Sequence, residues 1–504
     1  MRLNIEGVHN KAFWENAGVV LPKFNIGAVR EATKAEPVWL HFGAGNIFRG
    51  FIASLQQQLL NEGHSDKGII AAEAFDGEII DRIYKPHDSL VMNVLLGADG
   101  TMDCGITASI TESVRADEQT DRLAAIFECP SLQMVSFTIT EKGYAPRGIM
   151  SVVAGLMLKR YKAGKLPLAL VSMDNCSKNG EKLRSSIVEA AESFKDNGFL
   201  EYLRDENTVS FPWSMVDKIT PRPDDVVFKY LTDKGIEGMG PVLTAKNTYI
   251  APFVNAEKPQ YLVIEDNFPN GRPALEHAGV YLTGRETVNK TERMKVTTCL
   301  NPLHTAMAVF GCLLGYTKIS DEMKDAEITA LIKKMGYIEG LPVVTDPGII
   351  SPRAFIDEVV HERLPNPFMP DAPQRIATDT SQKAGIRFGE TIKSYIEEKR
   401  DLNELTAIPL AIAGWIRYLL GVDDIGRPME ISPDPMKNEL QEKLAGVVWD
   451  EPGSYDGHII PILSNSDIFG LDLTGTELAG RIEKYFVLML AGPGSVRKTL
   501  TDRL

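Results

Sequence analysis

Cysteine is scarce in this chain of 504 residues: Cys104, Cys129, Cys176, Cys299 and Cys312 are the five, far apart, with no C-x-x-C pair. Such spacing argues against a disulfide framework and against a structural zinc site. Histidine is equally thin, eight residues with no H-E-x-x-H run, so no metal site is expected. Basic charge is short as well, with 54 lysines and arginines against 68 acidic residues and a net charge of −14. That balance leaves no basic footprint for nucleic acid or anionic lipid. An acidic chain that handles an anionic ligand must gather its few cations locally. No apolar run approaches the ~20 residues that span a bilayer. The opening "MRLNIEGVHNKAFWENAG" lacks the apolar core of a secretory signal. A cytoplasmic protein with no membrane or nucleic-acid partner is the expectation.

At this length one hydrophobic core does not suffice, and two domains are expected. Through the first half, "EPVWLHFGAG", "KGIIAAEAF", "LQMVSFTITEKG", "LPLALVSMDN" and "PQYLVIEDNF" read as strands with helical stretches between them. Alternation of that kind predicts a parallel sheet with helices on its faces. From about residue 290 the chain turns mainly helical, as in "NPLHTAMAVFGCLLGY" and "LTAIPLAIAGWIRYLLG". The expected division is an α/β domain over residues 1–290 and an α-helical domain over residues 291–504.

The first strand, "VWLHFGAGNIFRGFIASL", runs through Gly43 and Gly45 into a helix. Two glycines there allow a tight turn and let backbone N–H groups approach a pyrophosphate at the helix start. The third glycine of G-x-G-x-x-G is absent, Phe48 standing in its place. Gly43, Gly45 and Asn46 are the candidate cofactor-binding residues of this turn. At the end of the next strand Glu73 and Asp76 offer a carboxylate to ribose hydroxyls, and no arginine follows before Arg82. A carboxylate in that place repels a 2′-phosphate, so NAD is expected in preference to NADP.

"ERMKVTTCLNPLHTAMAVFG" embeds Lys295, Asn301 and His304 in an apolar helical run interrupted by Pro302. On an unbroken α-helix Lys295 and His304 face roughly opposite ways. Pro302 lacks an N–H and clashes with the carbonyl of Thr298, which predicts a break, with Asn301 as the new helix's N-cap. Lys295 is then free to turn toward the same site. A lysine and an asparagine beside a nicotinamide suit carbonyl reduction: Asn301 donates to the oxygen as charge builds, and Lys295 delivers the proton. His304 would hold a second substrate oxygen. The plainer alternative is a cap, a half-buried histidine and a solvated lysine.

These segments together resemble the long-chain mannitol dehydrogenase family of polyol and sugar-acid oxidoreductases. The likeness is carried by "HFGAGNIFRG", "VSFTITEKGY", "VSMDNCSKNG", "FPWSMVDKITPRP", "VIEDNFPNGRPALEHAGV" and "ERLPNPFMPDAPQRIATDTSQK". It implies a zinc-independent, NAD-using enzyme with a Rossmann-like N-terminal domain and a helical C-terminal one. By motif, the family's catalytic lysine falls on Lys295 and its neighbouring glutamate on Glu292. The oxyanion-binding asparagines fall on Asn175 and Asn301, the histidine on His304, and the substrate-pocket cations on Arg375 and Lys383. The implied reaction is hydride transfer between a ketose-type sugar acid and its alcohol, with D-fructuronate to D-mannonate the leading expectation. Mannitol or tagaturonate chemistry, or an NAD-dependent epimerisation without net redox, are the alternatives. The family contains monomers, so a monomer is expected. One departure stands out: the family places four residues between lysine and asparagine, whereas "KVTTCLN" has five. The backbone must absorb the extra residue in a break or a bulge.

Overall fold

The computed structural model describes all 504 residues, Met1–Leu504. They form two compact units, one of residues 1–97 and 101–289, the other of residues 98–100 and 290–504.

In the first unit the apolar runs become strands β1 (Trp39–Phe42), β2 (Ile69–Glu73), β3 (Ile110–Arg115), β4 (Met134–Phe137), β5 (Leu168–Ser172) and β6 (Val209–Ser210). Every neighbouring pair is parallel, in the order β3-β2-β1-β4-β5-β6. Successive side chains of a strand point to opposite faces, and both faces are covered here. Leu40, Phe42, Leu168 and Leu170 join one buried cluster, while Trp39, Ala169 and Val171 join another. Burial on both sides is why these strands read as continuous apolar runs. Helix α1 (Ala53–Glu62) follows β1. The strand order reverses beside β1, which makes this a doubly wound sheet, and such sheets hold ligands beyond the strands' carboxyl ends at the reversal.

Four of the five expected strands lie in this sheet. "PQYLVIEDNF" does not: Tyr261–Glu265 pairs antiparallel with Ser214–Asp217 and parallel with Tyr281–Thr283. A further sheet contains the hairpin of Val91–Leu96 and Met102–Thr107, closed where the Gly97 N–H donates to the Thr101 carbonyl.

The second unit is helical. Its principal elements are α2 (Arg285–Met294), which begins within the first unit, then α3 (Asn301–Leu314), α4 (Pro373–Ile376), α5 (Glu390–Glu397) and α6 (Ala407–Tyr418). From Arg285 to Leu314, α2, a π-turn and α3 follow one another with only Leu300 between them, and by length and composition this 30-residue segment could cross a membrane. That corrects the expectation that no apolar run comes near such a length. Of its most apolar 18-residue window, 78% is buried inside the protein. Helix α3 packs on α6, whose residues are all buried, so the apolarity is that of a core helix.

Two buried carboxyls mark this core. Glu339 accepts the N–H groups of Thr406, Ala407 and Ile408 at 2.7, 2.6 and 2.9 Å and so caps α6. Glu322, on the helical turn Ile319–Glu322, has both oxygens buried without a hydrogen-bond partner. Burial, reinforced by the nearby charge of Asp325, pushes its carboxyl up to about 9 from the usual 4.5. The folded protein therefore holds one more proton than the unfolded chain between those values. Stability from this group is greatest below pH 4.5 and is lost as pH rises toward about 9. The slope approaches ~1.4 kcal/mol per pH unit. Glu322→Gln is expected to remove that slope, read from urea midpoints at pH 5 and 8; equal slopes in the two proteins would contradict a protonated Glu322.

Candidate active site

At the carboxyl end of β1 the chain turns through Gly43, whose φ of +110° suits glycine. A Cβ there would stand 2.2 Å from the Thr138 carbonyl oxygen. Gly45 has open space where a Cβ would be, so its backbone is approachable. Phe48 replaces the third glycine and is wholly buried, its ring stacked on His41 of β1 at 4.1 Å. The helix opens into a π-turn over Phe48–Ile52. Close approach passes to Gly50, where a Cβ would come within 2.7 Å of Val254 Cγ1. His41, bonded to Ser136 and Thr138, is held down to about 3 by burial and is neutral. Asn46 spends its carboxamide inside the protein, donating to the Pro221 carbonyl and accepting from Arg49.

The two carboxylates proposed for ribose part company. Glu73, at the end of β2, accepts the Ala44 N–H at 2.8 Å, together with those of Phe75 and Asp76. Its carboxylate therefore lies against the glycine turn. Asp76 is buried and accepts the Thr244 hydroxyl at 2.6 Å instead.

Beyond β5, Asn175 is exposed. The two residues that shape its loop escaped sequence reasoning. Asp174 accepts the N–H groups of Ile139 and Thr140 and the Tyr144 hydroxyl, tying this loop to the one after β4. Asn179 is buried and ties the loop to Ser214. Thr140 sits at φ +65°, ψ 162°, a region nearly reserved for glycine, and strain of this kind gathers at functional sites.

In the second unit the expected break is present at Leu300, one residue before the expected cap, and a π-turn precedes it. Lys295–Cys299 is a π-turn, and the Leu300 N–H donates to the Lys295 carbonyl at 3.1 Å, five residues back. Leu300 occupies the cap position and Asn301 is the first residue of α3, so Asn301 is not the N-cap. A π-turn carries one more residue than an α-turn, which absorbs the fifth residue of "KVTTCLN". The helical run ends at Leu300, which stands at φ −129°, ψ −63°, and α3 begins afresh with Pro302 as its second residue.

Lys295 is buried, with 5% exposure. Asn301 is half-buried and its carboxamide makes no hydrogen bond within the protein, while its carbonyl accepts from Thr305 Oγ1. His304 Nε2 is buried without a hydrogen-bond partner, 3.8 Å from Asp371 Oδ2. Burial pushes the imidazole down to about 4; Arg387, Arg375 and Arg363 push the same way and Asp371 opposes them. His304 is thus neutral at ordinary pH. Glu292, half-buried on α2 one turn before Lys295, takes no ion pair. Arg375, on α4, is mostly exposed and pairs with Asp371. Lys383 donates to the Thr378 carbonyl at 2.6 Å, and burial and Arg387 hold its amine below the usual value.

Arg363, Asp371 and Arg387 were not picked out from the sequence. Arg363 and Arg387 lie on π-turns, Val359–Arg363 and Gly385–Gly389. Arg387 follows Lys383 by four residues, a spacing that places two side chains on one helical face, and that was the available signal. Together these groups give a neutral imidazole, an uncommitted carboxamide and a buried amine, in surroundings rich in guanidinium.

Comparison with known proteins decides the lineage. The mannitol dehydrogenase Rossmann domain matches residues 38–277, and the mannitol dehydrogenase C-terminal domain matches residues 287–487. The chain belongs to the mannitol dehydrogenase family. D-Mannonate oxidoreductase of Thermotoga maritima is 51% identical, over 100% of this chain and 99% of its own. Mannitol dehydrogenase DSF1 of Saccharomyces cerevisiae is 30% identical over 80% of this chain and 81% of its own. Among solved structures, a substrate-free D-sorbitol dehydrogenase superposes with a TM-score of 0.77, at 24% identity, over 95% of this chain and 98% of its own. Mannitol 2-dehydrogenase of Pseudomonas fluorescens, in a ternary complex with NAD and D-mannitol, gives a TM-score of 0.70 at 24% identity, over 100% and 99%. At that identity these two bear on the fold alone.

Proposed function

We propose that this mannitol dehydrogenase family member reduces a ketose-type sugar acid to its alcohol with NADH, D-fructuronate to D-mannonate being the pair it serves. The observation that carries the reading is the run from Lys295 to His304. A buried amine sits on a π-turn directly before an uncommitted Asn301 carboxamide and a neutral His304 imidazole. Guanidinium groups about His304 favour an acid over a neutral polyol, and the full-length relative is a D-mannonate oxidoreductase.

The glycine turn suits a dinucleotide: Gly43 lets the chain turn hard against Thr138, Gly45 leaves room for the pyrophosphate, and Glu73 lies at the turn where ribose hydroxyls need an acceptor. The bound cofactor supplies the hydride. Asn301 donates to the substrate oxygen as negative charge grows on it, with Asn175 as the second carboxamide. The Lys295 ammonium gives that oxygen its proton; in oxidation the neutral amine takes it back. His304 holds a neighbouring hydroxyl, and Arg375 and Lys383 bind further substrate oxygens. The same reading makes the enzyme a cytoplasmic monomer, which sedimentation checks for mass.

Gly43→Ala is expected to weaken NADH binding by tenfold or more, on the order of 1.4 kcal/mol, because the added methyl meets backbone at 2.2 Å. A fluorescence titration of NADH reads this, and an unchanged Kd would remove the turn from the cofactor site. A panel of fructuronate, tagaturonate and fructose with both nicotinamide cofactors tests the reaction. Preference for fructose, or epimer formation without net NADH consumption, would overturn it.

A further inference from the structure

Within the second unit, one cation lacks what its neighbours have. Arg375 pairs with Asp371, and Arg293 and Lys393 with Glu390, while Lys383 is influenced by Asp379 and Asp434. Arg387 has no carboxylate partner. Its guanidinium is half-buried, and its one hydrogen bond within the protein goes from Nη1 to Thr305 Oγ1. Withdrawing a charge from water without a counter-ion costs several kcal/mol; buried Arg417 offsets it by donating to the carbonyls of Met489, Val422 and Asp423, a set Arg387 lacks, which leaves its N–H groups for an anionic ligand.

Its place is fixed by packing. The π-turn that bears it carries Gly385 and Gly389, and a Cβ on either would meet the backbone of Ile468 or Phe469 at 3.0 Å or less. That turn therefore lies directly on the Ser466–Phe469 helix. It also packs against the π-turn of Lys295. Thr305, the acceptor for Arg387, donates its own hydroxyl to the Asn301 carbonyl at 2.9 Å. Arg387 is thus tied to the first turn of α3, the turn that carries Asn301 and His304. A planar guanidinium with free N–H groups matches a carboxylate in a two-pronged hydrogen bond, and one uncompensated cation suits one such group.

We propose that Arg387 anchors the carboxylate of the substrate and sets the preference for a sugar acid over its neutral counterpart. The inference rests on the sugar-acid reading given above and adds the residue that enforces it.

The test compares D-fructuronate with its neutral amide as substrates, with NADH, in the wild type, Arg387→Gln and Arg387→Lys. The wild type is expected to favour the acid in kcat/KM by ~100-fold, the range for hydrogen bonds to a charged group. In Arg387→Gln that preference should fall to near unity, through KM for the acid rather than through kcat. Arg387→Lys should keep part of it, as a point charge without the fork. NADH affinity and the melting temperature confirm that the variants fold. An acid-to-amide preference that survives in Arg387→Gln, or a loss shared equally by both substrates, would overturn the assignment and leave Arg387 a support for α3. Failure of the wild type to reduce fructuronate at all would instead sink the sugar-acid reading itself.

Discussion

Lys295→Ala is expected to lower kcat for ketone reduction by ~10²–10⁴-fold, the usual loss when a positioned general acid is removed. The amine is buried on a π-turn one residue away from where an α-helical register would put it. With 5% exposure, water does not readily replace it as proton donor. NADH affinity should hardly change, because the glycine turn and Glu73 belong to the other unit. Small primary amines added to Lys295→Ala should restore part of the rate, in order of their basicity. Loss of NADH binding in step with turnover would point to structural damage, and unaltered turnover would remove Lys295 from the mechanism.

Glu339→Ala is expected to be the most destabilising single change named here, by ~3–5 kcal/mol. The reason is that three backbone N–H groups at the buried start of α6 lose their acceptor together. Ala407 and Ile408 are buried in the core, so water does not take over. Glu339→Gln keeps one acceptor oxygen but turns an amide donor toward the third N–H, and it should cost less than the alanine. Urea denaturation measures both. A shift below ~1 kcal/mol for the alanine would show that the carboxyl is an ordinary exposed cap.

How much of this could be read from residues alone depends on distance along the chain. The turn at Gly43 and Gly45 was legible because its requirements are local. Glu73 and Asp76 could not be told apart, since the difference lies in Thr244, more than a hundred residues away. The count of five residues in "KVTTCLN" foretold a backbone irregularity. Its form, a π-turn followed by a break at Leu300, depends on packing on both sides. The grouping of Arg363, Arg375 and Arg387 about His304 is tertiary, and no periodicity announces it. The link from Asp174 to Ile139, Thr140 and Tyr144 joins the ends of adjacent parallel strands, again beyond any local pattern. The hairpin of Val91–Leu96 and Met102–Thr107 was missed for a different reason. Its turn, "GADGT", carries ordinary turn residues, which mark a loop without showing that the strands on either side pair with each other.

The most direct measurement follows NADH consumption and sugar-acid products together when the purified protein is given D-fructuronate. The account predicts one D-mannonate formed for each NADH oxidised, and a rate that collapses in Lys295→Ala. Product appearing without NADH loss, or a protein that oxidises NADH with neutral ketoses and ignores the uronate, would contradict it.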